Sequence, residues 1–184
     1  MKRNVVIVIF IVVFIGGIFW TKSKVSAPSP ENILKSNTFD LKNATYDIDG
    51  VKITLKDGQN EQKVPGSVTT TTTSYFGNES KGDVNGDKKE DNAFLLVQDG
   101  GGTGLFTYLV VALKNNEGYD ILSTIFLGDR IAPQNTEIKN GIIVVNYADR
   151  LPTEPMSAQP SIGVSRTFKV ESDKVIEIKG EFGN

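Results

Sequence analysis

The stretch Gly-Asp-Val-Asn-Gly-Asp-Lys-Lys-Glu-Asp, residues 82–91, places oxygen donors at every second position. A hard cation such as calcium takes about six to eight oxygens. A loop curling around it offers them from its first, third, fifth, seventh and ninth residues, the seventh through its backbone carbonyl. Counted from Asp83, those residues are Asp83, Asn85, Asp87, Lys89 and Asp91. Gly82 and Gly86 leave the backbone free to curl. Glu90 adds a further carboxylate, and anions this close repel one another unless a bound cation relieves them. The competing reading is a solvated turn in which Lys88 and Lys89 balance the acids. The phase of the donors favours a structural calcium ion.

Two positions depart from the EF-hand pattern. Lys88 stands where that loop carries glycine, and Phe94 stands where it carries a bidentate glutamate. Phe94 lies in Asn-Ala-Phe-Leu-Leu-Val, so a strand rather than a helix leaves the loop. In this the segment resembles the calcium loops of FG-GAP and similar β-repeat proteins, where Asp-x-Asn-x-Asp-Gly-x-x-Asp runs at once into an apolar strand. The resemblance covers about ten residues and implies an ion pinning the crossover between two strands.

The chain of 184 residues contains neither cysteine nor histidine. Thiolate nucleophiles, disulfides, Cys/His zinc sites and the usual serine triad are thereby excluded. Ser-x-x-Lys is also absent. An enzyme built from this sequence would need paired carboxylates, as in glycosidases, or a metal-activated water at the acidic loop. A carboxylate- or metal-dependent hydrolase is therefore the alternative to a binding or structural module. Residues 31–184 carry sixteen cations against 22 anions, a net charge of −6, which disfavours a nucleic-acid partner.

The elements that must position the loop read as strands. Tyr-Asp-Ile and Val-Lys-Ile-Thr-Leu alternate on either side of Asp49-Gly50, a hairpin signal. Similar runs flank residues 115–118, Asn140-Gly141 and Ser172-Asp173, and a threonine-rich run precedes the acidic loop. These runs predict an all-β fold of about ten strands, an antiparallel sandwich or open barrel, over residues 32–184. A short helix capped by Ser29, with Pro30 at its first position, is expected just before it.

In front of this domain, an uncharged apolar run from Val5 to Trp20 lies between Lys2-Arg3 and Lys22-Lys24. It is apolar around its whole circumference, and Pro28 directly after Ala27 disfavours cleavage there. Residues 1–21 therefore read as a transmembrane signal anchor, residues 22–31 as a Ser/Pro-rich spacer, and the β domain as extracytoplasmic. The expected partners are the membrane, through that helix, and an envelope protein or glycan.

Three other segments carry residues that could serve a site. Residues 100–104, Gly-Gly-Gly-Thr-Gly, lack the lysine and helix of a phosphate loop and read as a flexible connection at the far end of the strand after the acidic loop. Asp129-Arg130 and Asp149-Arg150 each read as ending a strand and tying a loop. The proline-rich residues 148–163 read as the cover of a sheet edge, with Arg130, Arg150, Glu154 and Met156 as candidates should a ligand surface exist. Together, Tyr-Phe-Gly-Asn-Glu-Ser through Phe-Leu-Leu, Gly-Gly-Gly-Thr-Gly-Leu-Phe-Thr-Tyr, Leu-Gly-Asp-Arg-Ile-Ala-Pro and Val-Val-Asn-Tyr-Ala-Asp-Arg resemble a group of bacterial extracytoplasmic membrane-anchored proteins with the same block order. This resemblance implies an exported domain and brings no activity with it.

Overall fold

The computed structural model describes residues 40–64 and 66–178. The expected anchor, spacer and Ser29-capped helix lie outside the described residues. Among the described residues, no helix is long and apolar enough to cross a membrane. The fold is all-β, with eleven strands in three antiparallel sheets. After a 3-10 turn at Leu41–Asn43, β1 (Thr45–Ile48) and β2 (Val51–Thr54) form a hairpin. A five-stranded sheet follows, in the order β3 (Gln59–Lys63), β4 (Thr70–Gly82), β5 (Asp91–Asp99), β6 (Leu105–Lys114), β7 (Tyr119–Asp129). The third sheet runs β11 (Lys174–Ile178), β10 (Ile162–Glu171), β9 (Ile142–Asp149), β8 (Ala132–Lys139).

The turns explain the hairpins. Asp49-Gly50, Asn140-Gly141 and Ser172-Asp173 all have positive φ at both residues, the backbone that matches the twist of two flanking strands. Asp57-Gly58 has the same geometry and leads into β3, the strand absent from the sequence expectation. That strand is Gln-Asn-Glu-Gln-Lys, an edge strand without an apolar residue, so period-two hydrophobicity could not reveal it.

The continuous apolar runs of β5 and β6 reflect burial on both faces. Phe94, Leu96, Tyr108 and Val110 pack under the β1–β2 hairpin with Tyr46, Ile48, Ile53 and Leu55. On the opposite face, Ala93, Leu95, Leu109 and Val111 meet Ile143, Val145, Tyr147 and Phe168 of the third sheet. Each such apolar side chain contributes about 1.5–3 kcal/mol when fully buried. The molecule is thus layered as hairpin, central sheet and second sheet.

Two seams hold the second sheet against the first. At one, the Ile138 N–H of β8 donates to Ser80 Oγ of β4 at 3.0 Å. Strand β4 comes so close here that a Cβ on Gly82 would stand 2.6 Å from Ile138 Cγ2. Bulges around Gly77 and Asn78 shift the β4–β5 register on the way to this contact. At the other seam, Arg166 of β10 pairs with both Glu177 oxygens at 2.7 Å and donates from Nη1 to the Phe126 carbonyl of β7 at 2.8 Å.

Candidate metal centre

The acidic loop joins β4 to β5, and Gly82 pairs with Asp91 at the base of the hairpin. Val84, the second loop residue, is buried in the core between the two larger sheets and anchors the turn. Within the loop, side-chain oxygens cap successive backbone amides. Asp83 accepts from Gly86 N at 2.7 Å and Lys88 N at 2.8 Å, Asn85 from Asp87 N at 3.0 Å, and Asp87 from Lys89 N at 2.9 Å. These Asx-type bonds wind the chain around one centre. The Lys88 amide, and then the Gly86 amide, hold the Asp83 carboxyl below its ordinary value.

Asp91 is the first residue of β5 and is fully buried. Its two oxygens accept from Val84 N at 2.9 Å and from Lys114 N of β6 at 2.8 Å. One carboxylate therefore ties the loop, β5 and β6 together. Asp83, Asp87 and Asp91 bring one carboxylate oxygen each within 4.8 Å of one another. Two oxygens on a single calcium at about 2.3–2.6 Å can be no more than about 5.2 Å apart, so this triad has the span of a coordination sphere. Asn85 lies in the same winding with its oxygen on the Asp87 amide, and Lys89 Nζ stands 3.5 Å from the second Asp87 oxygen.

Lys88 has φ +65° and Gly86 φ +85°. The loop thus takes the left-handed backbone at the position where EF-hand loops carry glycine, although a lysine occupies it. The departure noted in the sequence changes the side chain and leaves the turn intact.

The other segments resolve differently. Residues 100–104 connect β5 to β6 at the end opposite the acidic loop, and Gly101 N donates to Asp99 Oδ1 at 2.8 Å. Moreover, a Cβ at Gly101 (φ +74°) would meet Thr69 Cγ2 at 2.3 Å. Asp129 ends β7 and accepts from Leu105 N at 2.8 Å, with Arg130 paired to it at 3.0 Å. Asp149 ends β9, and Arg150 reaches along the following loop to the Ala158 carbonyl at 2.5 Å. Residues 150–161 connect the neighbouring strands β9 and β10. Glu154 is used inside that loop, accepting from Leu151 N at 2.8 Å, and Met156 is exposed.

A feature the sequence did not reveal lies beside the metal candidate. On the hairpin side of the central sheet, where β4, β5 and the β6–β7 turn meet the 3-10 turn, a cavity of about 470 Å³ opens. Its lining includes Tyr75, Glu79, Asn92 and Tyr119 together with Lys42, Lys81 and Lys114. The lysines come from three separate segments, so no local spacing marks them. The five tyrosines do fall in strands as expected, but only Tyr75 and Tyr119 line this cavity, while Tyr46, Tyr108 and Tyr147 are buried.

No protein-family model, curated protein or solved structure matches the chain.

Proposed function

We propose that the protein is a membrane-anchored extracytoplasmic β module, braced by a structural calcium ion at its acidic loop and serving as a binding or structural element of the cell envelope. The observation that carries the calcium reading is the convergence of Asp83, Asp87 and Asp91 oxygens within 4.8 Å, with Asp91 buried at the base of the turn. Asn85 and the Lys89 carbonyl complete the proposed donor set. The ion would neutralise clustered anions and fix the β4–β5 crossover, a mechanical role rather than a catalytic one. Support for the anchor is the uncharged run from Val5 to Trp20 with cations on both sides.

Thermal unfolding of the full chain tests the calcium reading. Modules of this kind bind at about 10⁻⁴–10⁻³ M, so about 10 mM calcium should add roughly 1.4–2.7 kcal/mol over a chelator control. Asp87→Asn keeps an oxygen for the Lys89 amide but removes a charge, and should erase most of that gain. A melting temperature indifferent to calcium overturns the reading. For topology, protease added to intact cells should digest the domain; full protection would place it inside.

A further inference from the structure

We propose that the cavity between β4, β5 and the β6–β7 turn binds an acidic saccharide, a polyhydroxylated ring bearing one carboxylate. This deepens the binding-module reading and rests on it, but not on the calcium.

The charge at the cavity is opposite to that of the domain. Residues 31–184 are net −6, yet three ammonium groups, of Lys42, Lys81 and Lys114, line this one depression against two carboxylates, of Asp40 and Glu79. Both carboxylates are already engaged. Asp40 accepts from Lys42 N at 2.9 Å and Asn43 Nδ2 at 2.6 Å. Glu79 accepts from Tyr75 OH at 2.7 Å and Asn92 Nδ2 at 2.8 Å, and Lys81 stands 3.4 Å away. Lys42 and Lys114 form no ion pair among the described residues. Each instead lies over an aromatic face, Lys42 Nζ at 5.5 Å from the Tyr75 ring centre and Lys114 Nζ at 4.4 Å from that of Tyr119. Two cations held by rings, and in no ion pair among the described residues, are set to receive an anion.

The rest of the lining asks for donors. Asn92 is buried to 1% exposure, and its Oδ1 has no hydrogen-bond partner among the described residues. A buried acceptor left unpaired is costly, so a ligand group that donates a hydrogen bond there is favoured. Glu79 oxygens retain further lone pairs for hydroxyls. A ligand must therefore accept from ammonium groups at one end, donate hydroxyls at the other, and lie beside the Tyr75 and Tyr119 rings. A sugar carboxylate meets all three demands, and a cavity of about 470 Å³ is in the usual range for small ligands.

The test is calorimetric titration of the full chain in a polyoxyethylene detergent, which carries no sugar, with glucuronate, glucose and inorganic phosphate as probes. Each titration is run with calcium and again with chelator, so that failure of the metal reading does not mask the result. Glucuronate should bind at least tenfold more tightly than glucose or phosphate, and the variant Lys42→Gln/Lys114→Gln should lose at least tenfold in affinity while still unfolding in one cooperative transition. Glucuronate no better than glucose would make this a neutral-sugar site, and phosphate equal to glucuronate a plain anion site. Either result, or no binding of any probe, overturns the proposal.

Discussion

Asp91 and Asn92 are neighbours at the start of β5, both fully buried, and they face opposite sides of the central sheet. Asp91 turns toward the second sheet, and each of its oxygens holds a backbone amide. Asn92 turns toward the hairpin side, where its amide nitrogen supports Glu79 while its oxygen has no partner among the described residues. One strand thus separates a cluster of carboxylates from a cationic cavity in which, among the described residues, a buried acceptor has no partner. Asp91 ties two backbone amides together, whereas the Asn92 oxygen ties nothing among the described residues.

Substitution of these two residues should separate them sharply. Asp91→Ala orphans the Val84 and Lys114 amides, at roughly 1–3 kcal/mol for each N–H, and should give the largest loss of stability in denaturant titration. Asn92→Ala removes one donor to Glu79 but also deletes the unpaired oxygen, so it should cost clearly less. If the second variant unfolded as readily as the first, the contrast between brace and binding site would collapse. Lys88→Gly places the residue suited to φ +65° at that turn, and should raise the unfolding free energy by up to about 1 kcal/mol without altering the calcium response.

A weaker signal comes from acid. Burial pushes the Glu79 carboxyl up, but the Tyr75 and Asn92 hydrogen bonds and the nearby Lys81 outweigh it and leave its pKa below the ordinary value. A carboxylate with a depressed pKa in the folded state contributes stability that is complete above its unfolded value, near about pH 4.3, and is lost as pH falls through the folded one. Glu79→Gln should therefore flatten stability between about pH 4.3 and the more acidic range, measured as unfolding midpoint against pH. A wild-type and variant profile that run parallel would show that the cavity side contributes nothing to acid stability.

The two sides also differ in how far the sequence disclosed them. The acidic loop is local: Asp83, Asn85, Asp87, Lys89 and Asp91 sit at alternate positions, and the folded turn brings the three aspartates within 4.8 Å of one another. Most strands were equally legible, because alternation and Asp-Gly or Asn-Gly turns act over a few residues. What escaped was non-local or carried no apolar mark. The cavity gathers Lys42, Glu79, Asn92 and Lys114 from distant points of the chain, a matter of strand order rather than spacing. Strand β3 hid for a different reason, since Gln59–Lys63 has no hydrophobic period and only the turn at Asp57-Gly58 announces it. Lys88 misled in the opposite sense, because a lysine conceals the left-handed turn that a glycine would have advertised.

That same strand governs how copies of the protein can meet. Its outer edge borders the five-stranded sheet with amide and charged side chains, Asn60, Glu61, Gln62 and Lys63, and no greasy residue to reward a docking strand. An unsatisfied row of backbone groups is an invitation to fibril growth only where the flanking side chains welcome a neighbour. On this border they favour water instead, so even dense crowding should leave neighbouring molecules separate along it.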